Sequence, residues 1–170
     1  MLEREQRVYD MLDELGVKYN VIEHNPLYTA DDLICLKDPS QESYCRGNHC
    51  KNLFLRNAKG NKYYLIVVKD DRQVNLKELK NRIGSTNLSF ASPERLYKVL
   101  GLLPGSVNPF SLVNDESHGV ELYIDSEVLN GENMNFHPNI NTKTVNLTLD
   151  GFKEFLNSLE NSIEIIDFDF

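Results

Sequence analysis

Apolar residues near the amino terminus recur at the spacing of one helical face. Val8, Met11, Leu12 and Leu15 follow the i, i+3, i+4, i+7 pattern, and Gly16 is a residue that commonly ends a helix. The pattern therefore predicts an opening amphipathic helix that buries this face.

Alternation of apolar and polar residues predicts the strands of a sheet. Residues 17–23 alternate in this way, and His24-Asn25-Pro26 ends the strand. A hairpin is expected where a strand beginning at Leu53 and a buried return strand over 63–68 flank the turn 57–62. Further strands are predicted over 88–91, 120–124, 133–137, 144–147 and 162–168.

Helix signals lie between these strands. Ser92-Pro93-Glu94 combines an N-cap residue, a proline at the first helical position and an acid in the first turn, which predicts a helix that stops at Gly101. Other helices are predicted over 30–36 with Thr29 as cap, over 74–83 and over 149–159. About seven strands and five helices in irregular order predict an α+β fold, with residues 1–170 as one domain built on a curved mixed sheet flanked by helices.

Composition narrows the class of protein. The chain has 170 residues, of which 41% are hydrophobic and 26% are charged. This balance is typical of a soluble globular protein. No apolar run approaches the roughly 18 to 20 residues of a membrane span, and the first ten residues are too charged for a secretory signal. We therefore expect a cytoplasmic protein with no membrane partner.

The formal net charge of −8 argues against a nucleic-acid partner, but the charge is unevenly distributed. Residues 1–50 carry −5, residues 51–110 carry +7 and residues 111–170 carry −10. The basic middle third can form a local anion-binding face. Alternatively, its cations only solvate the outside of a helix, as at Lys77, Lys80 and Arg82.

The cysteines give little evidence of a metal or disulfide. Cys35, Cys45 and Cys50 are an odd number in a chain without a secretion signal, which indicates free thiols. Cys45, His49 and Cys50 lie close together, but no second Cys/His pair follows at the spacing of a zinc site. A Cys50 nucleophile with His49 or His24 as base is a further alternative.

One segment with candidate chemistry is Lys51-Asn52, which is predicted to lie at the mouth of a strand after a polar loop. A lysine there can act as a fixed charge for a phosphate or, when desolvated, as a base. Alternatively, it is an edge-strand lysine that discourages aggregation.

Two further segments stand out. Residues 101–109 hold two glycines and two prolines, so the backbone can approach a ligand closely and point N–H groups at an anion or an oxyanion. The alternative is a structural corner after a helix. His137-Pro138 follows a predicted strand, where the histidine can position a water, donate to a carbonyl or lie satisfied in the core.

Together these segments carry a family resemblance. Lys51-Asn52-Leu53-Phe54-Leu55-Arg56, then Gly101-Leu102-Leu103-Pro104-Gly105-Ser106-Val107-Asn108-Pro109, then His137-Pro138 resemble the YbaK/ProX family of freestanding aminoacyl-tRNA editing domains. These domains are related to the editing insertion of bacterial prolyl-tRNA synthetase. The resemblance covers nearly the whole chain, including His24-Asn25-Pro26 and Tyr28-Thr29, and is closest to the ProX branch of synthetase-associated deacylases.

The resemblance implies the prolyl-tRNA-synthetase-associated-domain fold and a hydrolase that cleaves mischarged tRNA in trans. The expected substrate is alanyl-tRNA with the proline anticodon, and the products are the free amino acid and tRNA. In the family, the lysine matching Lys51 is the residue most tied to activity, and Asn52, Gly101 and His137 match the other catalytic positions. The family needs no metal, and we expect no cofactor.

The candidate substrate-binding residues are Tyr28, Thr29, Leu103, Pro104, Gly105 and Ser106. Backbone N–H groups of the loop after Gly101 are expected to stabilise the oxyanion. We place Lys51 at the 3′-terminal phosphate or ribose, because a lysine beside the substrate's own α-ammonium is unfavourable. A small pocket that clashes with the ring of proline but admits a methyl group would supply specificity.

The expected partners are the acceptor end of mischarged tRNA(Pro) and, transiently, prolyl-tRNA synthetase. Binding to the tRNA end should be weak, local and salt-dependent, with no hold on long nucleic acid such as DNA. Two alternatives stay open: a non-catalytic module that senses an amino acid or an aminoacyl-tRNA, and a deacylase of Cys-tRNA(Pro). The chain has no nucleotide-binding glycine loop, which argues against an ATP-consuming synthetase.

Overall fold

The computed structural model describes residues 3–26 and 48–170. The helices in these ranges are α1 (Glu3–Glu14), α2 (Leu76–Ile83), α3 (Pro93–Leu100) and α4 (Leu149–Ser158), with 3-10 helices at Pro109–Asn114 and Ser126–Leu129. The predicted helix over 30–36 lies outside the described residues, as do Tyr28, Thr29, Cys35 and Cys45. Within the described ranges, no helix has the length and apolar character to cross a membrane.

The strands form one mixed sheet. They are β1 (Tyr19–Glu23), β2 (Asn48–Arg56), β3 (Tyr63–Lys69), β4 (Ser89–Phe90), β5 (Glu121–Asp125), β6 (Asn133–Phe136), β7 (Lys143–Thr148) and β8 (Ile163–Ile166). Their order is β1-β7-β6-β2-β3-β5-β8, and the short β4 pairs with β2. The β2–β6, β3–β5 and β5–β8 pairs are parallel, and the others are antiparallel. The predicted α+β fold with a mixed sheet is confirmed.

Both faces of the sheet are covered by hydrophobic side chains. The larger core contains Leu65 and Val67 of β3 and packs against α1, α3 and α4. The smaller core contains Ile66 and Val68 and is covered by α2 and the carboxyl-terminal segment. Because β3 is buried on both faces, its sequence is a continuous apolar run rather than an alternating one.

The predicted start of the second strand was wrong. β2 begins at Asn48, not at Leu53, so Lys51 and Asn52 lie inside the strand rather than at its mouth. The polar residues over 48–52 concealed the strand, since they show no apolar alternation. Backbone pairing with β3 and β6 supplies the strand instead, with Cys50 opposite Lys69 and Asn48 beside Met134.

Candidate functional site

The parallel strands β2 and β6 lie next to each other and run toward Lys51 and His137, respectively. Their ladder pairs Asn48 with Met134 and His49 with Asn135. Both residues lie two positions beyond this last pair, Lys51 within β2 and His137 just after the end of β6. The register therefore places the segments that carry these two residues next to each other, although more than eighty positions separate them in the sequence.

Part of the edge of β2 opposite β3 is left unpaired by the strands that the structure describes. This edge pairs with β6 at residues 48–49 and with β4 at residues 55–56. Within the described ranges, no strand pairs with this edge over residues 51–53. An open strand edge exposes backbone donors and acceptors, which a ligand or another segment can use.

Lys51 presents its charge at this opening. Its side chain is half-buried, and its backbone is held opposite Val68 of β3. In the part of the chain that the structure describes, no hydrogen bond or ion pair engages its ammonium group. A lysine without a protein counter-charge is available to an anionic ligand such as a phosphate.

Asn52 faces the other side of the strand. It lies opposite Val67, which belongs to the larger core, so strand alternation separates its side chain from that of Lys51. Its Oδ1 atom is buried and has no hydrogen-bond partner in the described residues. Buried amide oxygens are nearly always paired, so this atom is suited to accept a hydrogen bond from a ligand or a water.

His137 is held in one tautomer. Its Nδ1 lies 2.9 Å from the backbone carbonyl oxygen of Lys143, and since a carbonyl only accepts, Nδ1 carries the proton. Nε2 is therefore the acceptor of the neutral ring. Burial lowers the pKa of His137, and the nearby His24 and His49 lower it further against the opposing effect of the Lys143 carbonyl. The ring is thus neutral at pH 7, with a lone pair on Nε2.

A second histidine, His24, lies against His137. Their ring centroids are 5.8 Å apart, and burial lowers the pKa of His24 as well. The Nδ1 of His24 donates to the Asn25 carbonyl at 2.7 Å, so its Nε2 accepts from the Thr144 hydroxyl at 2.8 Å. In the described ranges, no group of three His, Cys, Asp or Glu side chains is arranged to hold a metal ion.

Lys143, whose carbonyl orients His137, is itself held by an ion pair with α1. The ammonium group of Lys143 lies 3.1 Å from the carboxylate of Glu5, which is only 2% exposed. Tyr9 also donates a hydrogen bond to Glu5, at 3.4 Å. This buried ion pair fixes the start of β7, and with it the carbonyl that orients the imidazole.

The loop that follows α3 is shaped by its first glycine. Gly101 adopts a left-handed conformation with φ of +67°, and its N–H donates to the Tyr97 carbonyl at 2.8 Å, which ends the helix. This N–H is therefore committed to the helix and is not a donor for a ligand. Among the described residues, the N–H groups of Leu102, Leu103 and Gly105 have no acceptor, so they are the donors that the loop offers.

The predicted irregular loop is confirmed and is anchored at both ends. Leu102 is fully buried in the larger core, whereas Leu103 is 52% exposed. The N–H of Ser106 donates to the Leu103 carbonyl at 3.2 Å, which closes a turn over Pro104 and Gly105. The exposed tip therefore presents an apolar side chain on a rigid base.

A pair of buried asparagines joins this loop to the segment after His137. The Nδ2 of Asn108 donates to the Ser106 carbonyl at 2.8 Å and to Oδ1 of Asn139 at 2.9 Å. The Nδ2 of Asn139 donates in turn to the Arg4 carbonyl at 3.0 Å. The loop, the end of β6 and the start of α1 are thus held in one hydrogen-bonded network.

Comparison with known proteins identifies the family. A model of the aminoacyl-tRNA editing domain matches residues 25–155. The chain belongs to the aminoacyl-tRNA editing domain family. It is 39% identical over 166 residues to the prolyl-tRNA editing protein ProX of Acetoanaerobium sticklandii, covering 98% of each chain. It is 33% identical over 171 residues to the mouse prolyl-tRNA synthetase associated domain-containing protein 1, covering 98% of this chain and 95% of that one.

A solved structure supports the same fold for this editing domain. A crystal structure described as a candidate trans-editing enzyme for prolyl tRNA synthetase superposes with a TM-score of 0.70 at 21% identity. The match covers 98% of this chain and 97% of that one. The resemblance drawn from the sequence is confirmed, and with it the expectation of an aminoacyl-tRNA deacylase.

Within this editing domain, the thiol of Cys50 is a poor nucleophile. Burial raises the pKa of Cys50 to about 12, with a smaller contribution from the charge of Asp70. The thiolate, which is the reactive form, is therefore scarce at neutral pH. This weighs against the alternative in which Cys50 attacks the substrate.

Sequence reasoning missed several residues that shape the site of this editing domain. The positioning residues Asn108, Asn139, Lys143 and Glu5 act through contacts that join distant parts of the chain. One signal was available, since Asn139 follows His137-Pro138 and asparagine tolerates positive φ, which is 64° here.

Proposed function

We propose that the protein hydrolyses the aminoacyl ester of mischarged tRNA(Pro) in trans, with alanyl-tRNA(Pro) as its preferred substrate. The observation that carries this proposal is the parallel pairing of β2 with β6. β2 holds Lys51, a cation without a counter-charge in the described residues, and β6 leads directly into His137, a neutral histidine whose Nε2 can accept a proton. Family membership and the similarity to a prolyl-tRNA editing protein support it. Residues 1–170 would act as one domain in the cytoplasm, where tRNA is charged.

Each group has a distinct part in the proposed reaction. Lys51 holds the 3′-terminal phosphate or ribose and so aligns the ester. Nε2 of His137 accepts a hydrogen bond from the attacking water, with a ribose hydroxyl helping to position it. Water adds to the carbonyl carbon, the bond to the ribose oxygen breaks, and that oxygen takes up a proton. Free alanine and tRNA are the products.

The loop after Gly101 supplies the oxyanion donors in this scheme. The N–H groups of Leu102, Leu103 and Gly105 are the candidates, because no acceptor in the described residues engages them. Asn52 is a further candidate, since its buried Oδ1 has no partner in the described residues and can accept a hydrogen bond from a bound water. Its side chain faces the opposite side of β2 from Lys51, so this scheme gives it no contact with the ester that Lys51 aligns.

Selection against proline would come from the size of the pocket. The exposed Leu103 and the neighbouring Pro104 can form one wall, with Tyr28 and Thr29 as the other candidates. A wall that clashes with the proline ring discriminates more strongly than the loss of one methylene contact, which is worth only about 1–3 kcal/mol.

A deacylation panel tests this function. Purified protein is incubated with alanyl-, cysteinyl- and prolyl-tRNA(Pro), and we expect fast hydrolysis of the alanyl ester and none of the prolyl ester. Lys51→Ala should lose this activity. Lys59→Ala is its matched control, since Lys59 is an exposed lysine in the β2–β3 turn, away from the candidate site. Preference for the cysteinyl ester would make Cys-tRNA(Pro), rather than alanyl-tRNA(Pro), the substrate. Binding without hydrolysis of any ester would support the non-catalytic sensing module.

A further inference from the structure

A groove of about 470 Å³ lies between α1 and α3 and borders the loop that begins at Gly101. Arg4 and Arg7 line it from α1, and Tyr97 and Lys98 line it from the last turn of α3. Gly101, the first residue of the candidate catalytic loop, forms part of its wall. The groove therefore begins where that loop begins.

The charge of the groove is opposite to that of the whole chain. Among the described residues, three cations line it, against a single carboxylate, Glu3. Glu3 pairs with Arg7 at 3.3 Å. Within the described residues, no ion pair engages the side chains of Arg4 and Lys98. In a protein of net charge −8, two such cations create a local attraction for an anion.

An aromatic ring lies beside these cations. Tyr97 is 62% exposed, although large aromatic side chains are generally well buried. Exposed aromatic rings next to basic side chains are typical of surfaces that bind single-stranded nucleic acid, where bases stack on the rings and phosphates contact the cations.

The walls of the groove are fixed to the framework of the site. Arg7 donates to Oδ1 of Asn114 at 3.2 Å, and the Nδ2 of Asn114 donates to the Leu100 carbonyl at 2.9 Å. The Arg4 carbonyl accepts from Asn139, two residues beyond His137. These hydrogen bonds join the start of α1 to the end of α3 and to the segment that follows His137.

We propose that this groove binds the backbone and bases of the single-stranded 3′ end of a tRNA, next to the nucleotide whose ester is hydrolysed. Arg4 and Lys98 each contact a phosphate, and Tyr97 stacks on a base. The inference rests on the proposed function, because it takes the RNA strand to leave the Lys51–His137 opening along this groove.

The test removes charge from the groove and, separately, an equal charge from elsewhere. The Arg4→Gln/Lys98→Gln double variant is compared with Lys59→Gln/Lys77→Gln, which removes two exposed cations that do not line the groove. The substrates are alanyl-tRNA(Pro) and the minimal ester alanyl-adenosine. Binding of uncharged tRNA is measured over a range of salt concentrations.

We expect the groove variant to raise KM for alanyl-tRNA(Pro) about tenfold while retaining kcat and the rate with alanyl-adenosine. The slope of log K against log salt should fall by about 1.4, since each phosphate contact on a single strand contributes about 0.7. The control pair should match the wild type. Tyr97→Ala should weaken tRNA binding without changing this slope.

Equal KM values and salt slopes for the two double variants would overturn the groove assignment. Equal losses with alanyl-tRNA(Pro) and alanyl-adenosine would also overturn it, because the groove would then act on the ester itself. If the wild type hydrolyses neither substrate, the proposed function fails. Binding of uncharged tRNA by the two double variants would still decide whether the groove is an RNA site.

Discussion

The two ends of β2 differ in how their polar groups are satisfied. At the hairpin end, Oδ1 of Asn57 accepts from the N–H groups of Asn61 and Lys62, at 3.1 and 3.2 Å. Arg95 donates to the Gly60 carbonyl at 3.0 Å and to the Tyr63 hydroxyl at 2.7 Å. In the half of β2 toward Asn48, which we call the open end, the Lys51 ammonium and Oδ1 of Asn52 have no partner in the described residues.

This difference separates stability from function along a single strand. Both ends carry cations, so charge alone does not distinguish them. Polar groups that pair within the protein stabilise the fold, whereas those left without a partner cost stability unless a ligand or water engages them. We therefore expect substitutions at the hairpin end to change the free energy of unfolding, and substitutions at the open end to change catalysis.

The largest effect is expected for Lys51→Ala. Loss of the group that aligns the ester should lower the single-turnover rate with alanyl-tRNA(Pro) by about 100-fold. The free energy of unfolding, measured in urea, should change by no more than about 0.5 kcal/mol, since no described residue loses a partner. A large loss of stability in this variant would remove the contrast between the two ends.

Asn139→Ala should lower both the free energy of unfolding and the catalytic rate. It breaks the bonds to Asn108 and Arg4 and places alanine at a φ of 64°, so we expect a loss of about 2–3 kcal/mol in the free energy of unfolding. The catalytic rate should fall as well, because the loop is no longer tied to the end of β6. Asn139→Gly tolerates this φ and so isolates the hydrogen bonds. If both variants retain the wild-type rate, the network does not position the loop.

At the hairpin end, Asn57→Ala should lower the free energy of unfolding by about 1–2 kcal/mol, because two backbone N–H groups lose their acceptor. The rate per folded molecule should equal that of the wild type. Denaturation and deacylation assays on one preparation measure both quantities. A reduced rate at full folding would show that the two ends are coupled.

A smaller effect is expected from the two histidines His24 and His137, which should make the free energy of unfolding depend on pH. The pKa values of His24 and His137 are lowered in the folded state, so below the ordinary value of 6.5 the unfolded chain binds more protons than the folded one. The free energy of unfolding should therefore fall as pH drops below 6.5, by at most about 1.4 kcal/mol per pH unit for each histidine. Urea denaturation between about pH 8 and pH 5, the range in which histidine titrates, measures this change in the free energy of unfolding.

A substitution of His137 checks the source of this pH effect. His137→Gln should reduce the slope, because glutamine does not titrate in this range. A slope that His137→Gln does not alter would mean that the effect arises from other groups.

Local patterns in the sequence predicted most of the fold. Ser92-Pro93-Glu94 and Gly101 marked the ends of α3, and the spacing of Val8 and Leu12 marked the buried face of α1. The prediction of where β2 begins was wrong, because its first residues are polar. They are held in the strand by backbone pairing with β3 and β6, which are distant in the sequence.

The candidate site was predicted in its residue types but not in its geometry. Lys51 and His137 were singled out from local sequence features and from the family resemblance, yet the adjacency of the segments that carry them depends on the β2–β6 register. The support of His137 by Lys143, Glu5 and Asn139 depends on packing between α1 and β7, which no spacing in the sequence reveals. Long-range hydrogen bonds of this kind need the fold to be known.

The most direct test of the open end as an editing site is hydrolysis of alanyl-tRNA(Pro) at equal concentrations of folded protein. Wild type, Lys51→Ala and Asn57→Ala are assayed together with urea denaturation of each. We predict that Lys51→Ala loses the rate and keeps its stability, whereas Asn57→Ala keeps the rate and loses stability. Full hydrolysis by Lys51→Ala would contradict the account.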